Sequence, residues 1–96
     1  MNGTEMRDGA QGWRTSLHVV AQPLGTGTVL IHLETNQIYE LNRTGRRIWE
    51  LIAAGLDRAA ICARMEEEFD VSPEQAEREI GQLLTLLQAE QLIVDR

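Results

Sequence analysis

The first regular feature of the chain is an alternation of apolar and polar positions that begins at Leu17. Leu17, Val19 and Ala21 fall on one face and their neighbours on the other, which predicts a strand with one buried face. Pro23 and the stretch Gly25-Thr26-Gly27 are expected to end this strand in a turn. The two glycines carry no phosphate-binding signal, because they join two strands instead of opening a helix.

Two further strands follow at short spacing. Residues 28–33 are dense in β-branched side chains, and residues 37–41 alternate again after a turn at Thr35-Asn36. Asn36 suits that turn because it tolerates the left-handed conformation better than most residues. Short connections between consecutive strands favour an antiparallel meander in which the third strand lies at an edge of the sheet.

Beyond the third strand the apolar period changes from two to about 3.6, which predicts helices. A first helix carries apolar residues at i, i+3 and i+4 from Ile48, and either Asn42 or Thr44 is expected to cap it. Gly55 is expected to end it, because glycine adopts the left-handed conformation of a helix C-terminus without steric cost.

Two more helices complete the predicted order. The second starts near Asp57 and carries an apolar stripe over residues 61–69. Ser72-Pro73-Glu74-Gln75 opens a third helix that runs to about Glu90, with the serine as cap, the proline in the first turn and the glutamine reaching back to the cap. Residues 92–94 are apolar and are expected to pack back under the helices. The order β-β-β-α-α-α predicts an α+β domain.

The third helix carries more apolar surface than one core stripe requires. Its expected core residues are Ala76, Ile80, Leu83 and Leu87. Leu84 and Leu86 flank that stripe on opposite sides and widen the apolar arc to roughly 160° at about 100° per residue. One flank is therefore expected to stay partly exposed.

The Leu86 flank also carries Glu79 and Glu90, so it presents an apolar patch with a rim of carboxylates. If this flank lies beside the open edge of the third strand, a groove forms with free backbone groups on one wall and apolar side chains on the other. Such a groove suits an extended peptide that adds as a further strand. A second subunit, the N-terminal tail or residues 92–94 are alternative occupants of the same edge.

The composition fits one folded domain. The chain has 96 residues and 43% apolar content, and its polar segment 1–12 is expected to be a disordered tail ahead of a domain over residues 13–96. The formal net charge is −6, and the nine basic residues are arginines without a cluster, so nucleic acid is not an expected partner. No apolar run is long enough for a membrane span or a signal peptide, which favours a cytoplasmic protein with no membrane partner.

No set of residues predicts catalysis or metal binding. His18 and His32 lie in predicted strands, at outward or edge-facing positions, without a Cys or Asp at ligand spacing. Cys62 is the only cysteine, which excludes an internal disulfide, and it is expected to act as a small apolar residue. The acidic run at residues 66–68 points in three directions and predicts a solvated helix face. We therefore expect no enzyme, no cofactor and no metal.

Three segments together resemble the PqqD family in their order and spacing. They are residues 29–33 (VLIHL), 37–42 (QIYELN) and 44–51 (TGRRIWEL), followed by Gly55. The resemblance spans about residues 19–94 and implies a leader-peptide recognition element of ribosomally made, post-translationally modified peptides. It also implies three strands and three helices in a winged-helix-like arrangement, with the leader bound as an added strand. Within the family, residues 33–36 (LETN) are more similar to stand-alone lasso-peptide proteins than to the pyrroloquinoline quinone branch.

The resemblance implies a binding site made of the edge strand and one face of the third helix. The residues that it assigns to this site are Gln37, Ile38, Tyr39, Glu40, Leu41, Glu79, Gln82, Leu83 and Leu86. The strand residues are expected to bind through their backbone, and the helix residues through a side-chain pocket. Tyr39 and Leu41 share a strand face and are expected to point into the core.

The expected function is that of a non-catalytic peptide chaperone. It binds the leader of a precursor peptide, by resemblance a lasso-peptide precursor, and presents it to the leader protease and the macrocyclising enzyme. The protein is expected to be a monomer or a weak dimer. Three alternatives stay open: delivery of a precursor to a radical SAM enzyme, a winged-helix DNA-binding protein, and a structural homodimer paired through its edge strands. The third helix argues against DNA binding, since Arg78 is its single basic residue.

Overall fold

The computed structural model describes residues 12–95 of the protein. Along this part of the chain the elements are β1 (Trp13–Thr15), β2 (Val19–Leu24), β3 (Gly27–His32), β4 (Gln37–Leu41), α1 (Arg43–Ala53), α2 (Arg58–Glu68), α3 (Pro73–Ala89) and β5 (Ile93–Asp95). The predicted α+β class is confirmed, because three helices follow the strands of an antiparallel sheet. The predicted tail lies outside the described residues except for Gly12, which is buried.

β2, β3 and β4 form the antiparallel meander that the sequence predicts, in the order β2-β3-β4. Val20, Ile31 and Ile38 lie side by side across the three strands. In the turn between β3 and β4, the Asn36 N–H donates to the His32 carbonyl oxygen at 2.8 Å, and Asn36 takes the predicted left-handed conformation with a φ of 62°. β3 is central, and β4 lies at an edge, as predicted.

β2 begins at Val19, not at Leu17, and it includes Pro23. Leu17 is 96% exposed and Ala21 is also exposed, so the prediction that they lie on a buried strand face is wrong. Leu17 lies in a turn in which the Val19 N–H donates to the Ser16 carbonyl oxygen at 3.3 Å. Because β2 is an edge strand, one side of its backbone needs no ladder partner, and proline is tolerated there instead of ending the strand.

β1 and β5 pair as a second, two-stranded antiparallel sheet that the sequence did not predict. Trp13 lies opposite Asp95, and Thr15 lies opposite Ile93. Leu92 and Ile93 are buried, so the apolar end of the chain packs inward as expected, but Ile93 does so from a strand. Each of these strands has three residues, which is too short for an alternation of apolar and polar positions to identify it as a strand.

Each helix begins at a residue that capping chemistry favours. The three caps accept a hydrogen bond at 2.9–3.1 Å from the N–H three residues further on, and they are Asn42, Asp57 and Ser72. Asn42 and not Thr44 is thus the cap of α1. The Gln75 side chain donates to Glu79 Oε2 at 3.2 Å and not back to Ser72, so the reciprocal bond predicted for α3 does not form.

α1 and α3 end in the same motif, in which one residue turns left-handed and the next N–H bonds back to the last turn. Gly55 takes this conformation after α1, with a φ of 94°, and Gln91 takes it after α3, with a φ of 59°. The returning hydrogen bonds are 3.1 Å from the Leu56 N–H and 2.8 Å from the Leu92 N–H. Gly55 ends α1 as predicted, whereas Gln91 adopts the same conformation at a steric cost.

The core lies between the inner face of the meander and the three helices. Its most deeply buried apolar side chains are Leu30, Ile48, Ile52, Ile61, Ile80, Leu87 and Leu92. Burial of such a side chain contributes about 1.5–3 kcal/mol, which makes this shared core the main source of stability. Within residues 12–95, no helix has the length and apolarity needed to cross a bilayer.

The rotation of α3 differs from the prediction by one position. Leu84 is buried in the core, and Leu83 is only half-buried, whereas the sequence placed Leu83 in the core and Leu84 on the flank. Both choices repeat at helical spacing with Ile80 and Leu87, so the periodicity alone does not distinguish them. Packing against α2 and β5 turns Leu84 inward and leaves Leu83 next to the exposed flank.

Candidate functional site

β4 offers an open backbone edge. One side of the strand is hydrogen-bonded to β3, and no residue between 12 and 95 pairs with its other side. Ile38 is 67% exposed, and Gln37 and Glu40 are exposed as well. The unpaired N–H and C=O groups of such an edge are available to a further strand.

A hydrogen bond joins the middle of β4 to the end of α3. Tyr39 Oη donates to Glu90 Oε1 at 2.6 Å. This bond, with smaller contributions from burial and from the negative charge of Glu90, raises the pKa of Tyr39 above its ordinary value. Leu41 is buried as predicted, but Tyr39 is only half-buried and its hydroxyl reaches across to the helix. Tyr39 therefore fixes the position of the strand edge relative to α3.

The helix residues of the predicted site share one face of α3. Glu79, Gln82, Leu83 and Leu86 follow one another at helical spacing, and Glu90 continues the same face. Leu86 is 40% exposed, Glu79 and Leu83 are half-buried, and Gln82 is exposed. An apolar strip with polar neighbours thus leads along α3 towards the bond between Tyr39 and Glu90.

The structure joins the two halves of the predicted site at one point. Tyr39 reaches the helix face through Glu90, and no other side-chain hydrogen bond in the described part of the chain links β4 with α3. At the far end of β4, Glu40 and Leu41 line a separate cavity of about 320 Å³ together with residues of the hairpin between β2 and β3. The strand edge and the helix face are therefore joined through Tyr39 and Glu90.

His32 is buried, with 1% of its surface exposed, and the prediction that it faces outward is wrong. It follows Thr28 and Leu30 at a spacing of two, and all three side chains lie on the inner face of β3. Its Nδ1 accepts a hydrogen bond from the Glu34 N–H at 3.2 Å. The sequence pattern of β3 did not predict the burial of His32, because β3 has apolar residues on both faces and either face could be the buried one.

The remaining candidates for chemistry have structural partners. Cys62 is half-buried, with Sγ 3.5 Å from Glu77 Oε2; burial raises the pKa of this thiol, and the contact with Glu77 adds to the effect. The Glu77 carboxylate is paired with Arg58 at 2.6 Å, which lowers the pKa of Glu77. Among residues 12–95, no three His, Cys, Asp or Glu side chains are placed to hold a metal ion.

Three arginines lie together on α1 at residues 43, 46 and 47, so the prediction that the arginines form no cluster is wrong. Arg46 and Arg47 both pair with Glu50 at 3.2 Å, and Arg47 also pairs with a glutamate of α2 at 2.7 Å. Arg43 lies over the ring of Phe69, 4.9 Å from its centre. Two of the three positive charges are thus balanced by nearby carboxylates.

The fold and the open edge define a class of protein: a small, winged-helix-like α+β domain with a free strand edge beside a helix face. The chain belongs to the PqqD family, because the family model of coenzyme PQQ synthesis protein D matches residues 27–93. The matched range begins at β3 and includes β4 and all three helices. The family resemblance inferred from the sequence is confirmed.

Two solved structures are similar to this chain. TbiB1 in complex with the TbiA(beta) leader peptide is 29% identical, with a TM-score of 0.77 over 83% of this chain and 93% of that chain. A lasso peptide synthetase B1 complexed with the leader peptide is 23% identical, with a TM-score of 0.77 over 85% of this chain and 96% of that chain. The second likeness shows the fold alone. No curated protein matches the chain in sequence.

Proposed function

We propose that this protein binds the leader segment of a ribosomally made precursor peptide and presents it to the enzymes that process the precursor. The observation that carries the proposal is the open edge of β4, which Tyr39 joins to Glu90 at the end of α3. Support comes from TbiB1, a relative of 29% identity whose structure is a complex with a leader peptide. The lasso pathway is the proposed setting, since a lasso peptide synthetase B1 has the same fold.

In the proposed complex the leader adds to β4 as a further strand of the meander. Backbone groups of Gln37–Leu41 pair with the leader, and this pairing requires little of the leader sequence. Leu83 and Leu86 contact an apolar side chain of the leader, and Glu79 and Gln82 bind polar groups at the rim. A few backbone hydrogen bonds with one or two buried anchors are consistent with micromolar affinity, about −8 kcal/mol.

The proposed role adds no chemistry to the pathway and needs no cofactor. A protein that binds the leader and a processing enzyme at the same time raises the effective concentration of the precursor at that enzyme. We propose the leader protease and the macrocyclising enzyme as these partners, in the cytoplasm. A monomer or a weak dimer suits this role, because a tight dimer through β4 would block the edge.

A backbone amide NMR titration with the leader peptide of the precursor encoded beside the gene tests the proposal. Shifts are expected at Gln37–Leu41 and at residues 79–86, with little change in α2. A scrambled peptide of the same composition is the matched control and is expected to shift neither segment. Absence of shifts with the authentic leader, or shifts confined to α2, would contradict the proposal.

A further inference from the structure

A cleft of about 410 Å³ lies at the end of the sheet where β3 turns towards β4, and we refer to it as the His32 cleft. The end of α3 and strand β5 form its other walls. Its imidazole, amide and carboxylate side chains are His18, His32, Glu34, Gln88, Gln91 and Asp95. The cleft is therefore more polar than the apolar strip on α3.

His32 gives this cleft a buried donor without a partner among the described residues. Because its Nδ1 accepts the Glu34 N–H, the neutral ring carries its proton on Nε2. The side chain is almost fully buried, and Nε2 has no hydrogen-bond partner among residues 12–95. A buried N–H group without a partner is unfavourable, so a carbonyl oxygen that reaches Nε2 removes this cost.

Glu34 and Asp95 give the cleft negative charge that no arginine within residues 12–95 balances. Elsewhere the carboxylates of Glu50 and Glu68 pair with arginines. The described partner of Glu34 is His18, whose Nε2 lies 3.6 Å from Glu34 Oε2, and Asp95 has no ion-pair partner within residues 12–95. The surplus of carboxylates favours a cationic group as the ligand.

The His32 cleft adjoins one end of the proposed leader groove. His32 lies opposite Gln37, the first residue of β4. On the helix side, Gln88 and Gln91 line the cleft and flank Glu90, the residue that bonds to Tyr39 of β4. A peptide strand that pairs with β4 and continues past Gln37 therefore leads towards this cleft.

We propose that the His32 cleft binds a Lys or Arg side chain of the leader, next to the segment that pairs with β4. Glu34 and Asp95 bind its positive charge, and His32 Nε2 donates to a backbone carbonyl oxygen of the same part of the leader. The proposal rests on the proposed function and adds a requirement for one basic residue at a fixed distance from the strand-forming segment.

The test compares the wild-type protein with the variant Glu34→Gln/Asp95→Asn by fluorescence anisotropy. The probe is the synthetic leader encoded beside the gene, acetylated so that its terminal amine carries no charge. At low salt the variant is expected to bind about three- to tenfold more weakly, and the difference is expected to shrink at high salt. The variant Glu66→Gln/Glu67→Gln loses the same charge on α2 and is expected to bind within about twofold of the wild type.

A series of leaders in which each Lys or Arg is replaced singly by Gln locates the bound residue. One of these leaders is expected to bind the wild-type protein as weakly as the unmodified leader binds Glu34→Gln/Asp95→Asn. The same replacement is expected to cause no further loss when that variant binds it. The proposal would be overturned if the wild type and Glu34→Gln/Asp95→Asn bound the leader equally. It would also be overturned if every replacement of a basic residue added its own loss of affinity to that of the variant. If replacing the exposed Leu86 by arginine weakens leader binding in that case, the proposed leader function stands.

A second measurement addresses His32 itself. The ¹⁵N shift of His32 Nε2 is expected to move when the authentic leader binds, and to stay in place with the leader whose critical basic residue is replaced. Binding that leaves the His32 signal unchanged would overturn the role of this side chain. If the wild type binds no authentic leader at all, the proposed function fails and the cleft proposal fails with it.

Discussion

At the scale of single residues, two side chains set the geometry of the proposed groove. Tyr39 connects the strand edge to α3 through Glu90, and Leu86 presents the exposed apolar surface on the helix wall. The role of Tyr39 is electrostatic, since its hydroxyl donates to a carboxylate, whereas Leu86 acts by burial on binding. Their contributions can be tested separately.

The bond between Tyr39 and Glu90 predicts an alkaline transition. Since the folded protein raises the pKa of Tyr39, the stability from this bond is fully present below the ordinary tyrosine pKa and is lost as pH rises through the raised value. Tyr39 is the only tyrosine of the chain, so phenolate absorbance reports it alone. Glu90→Gln is expected to lower the titration midpoint, and Glu74→Gln is expected to leave it in place. An unchanged midpoint in Glu90→Gln would show that the bond does not persist in solution.

Leu86→Arg is expected to weaken leader binding by more than about tenfold, because it replaces an apolar anchor with a charge, and about 1.4 kcal/mol already corresponds to a factor of ten. The fold should persist, since Leu86 is 40% exposed. Val20→Arg is the matched control, because Val20 is 43% exposed but lies on β2 at the opposite edge. Equal affinities for both variants, measured by fluorescence anisotropy, would place the leader elsewhere.

Gln91 is expected to limit the stability of the domain. Gln91→Gly removes the steric cost of its left-handed conformation and should raise the free energy of unfolding by about 0.5–1 kcal/mol. Asn36→Gly at the other left-handed non-glycine position should give a smaller gain, because asparagine tolerates this conformation better. Urea denaturation of both variants tests the ranking, and a loss of stability in Gln91→Gly would contradict it.

At the scale of elements, the two edge strands of the meander differ in how readily a further strand can pair with them. β2 carries Pro23, which has no N–H to offer a further strand. β4 contains no proline, lysine or arginine and exposes Ile38. Proline is a common means of protecting an edge strand, and β4 has none, so the β4 edge is more open to a partner strand than the β2 edge.

Strand addition to β4 predicts a period of two in the leader. Replacing single backbone N–H groups of the leader by N-methyl groups should weaken binding at alternate residues, because only every second residue of an antiparallel pair bonds to the neighbouring strand. The intervening positions serve as internal controls. A loss at every position, or at positions three to four apart as expected for a helix, would rule out an added strand.

At the scale of the whole molecule, the charge is unevenly balanced. The net charge is −6, and several arginines are engaged in ion pairs on the helices, among them Arg46, Arg47 and Arg58. The carboxylates near the groove and the His32 cleft, including Glu34 and Asp95, lack such partners within the described residues. Glu66 and Glu67 on α2 also lack an ion-pair partner within residues 12–95, so the surplus negative charge is not confined to the surfaces proposed to bind the leader.

The oligomeric state separates leader binding from a structural role. Light scattering at micromolar concentration is expected to give a monomer or a weak dimer that the leader dissociates, because the leader and a second β4 strand compete for the same edge. A scrambled peptide should have no effect. A tight dimer that the authentic leader leaves unchanged would favour the homodimer paired through its edge strands.

The sequence by itself determined the features that depend on neighbours in the chain. Asn42, Asp57 and Ser72 cap helices because their side chains reach an N–H three residues away, and Asn36 and Gly55 mark turns through their backbone freedom. The order of the three meander strands and the three helices, the edge position of β4 and the family follow from these local signals.

Only the tertiary structure decided which of several equivalent surfaces lies inward. Leu83 and Leu84 fit the core stripe of α3 equally well, and both faces of β3 are apolar enough for burial, yet packing buries Leu84 and His32. The pairing of β1 with β5 and the bond between Tyr39 and Glu90 join residues far apart in the chain. Such contacts depend on how the elements pack, and local periodicity holds no information about that packing.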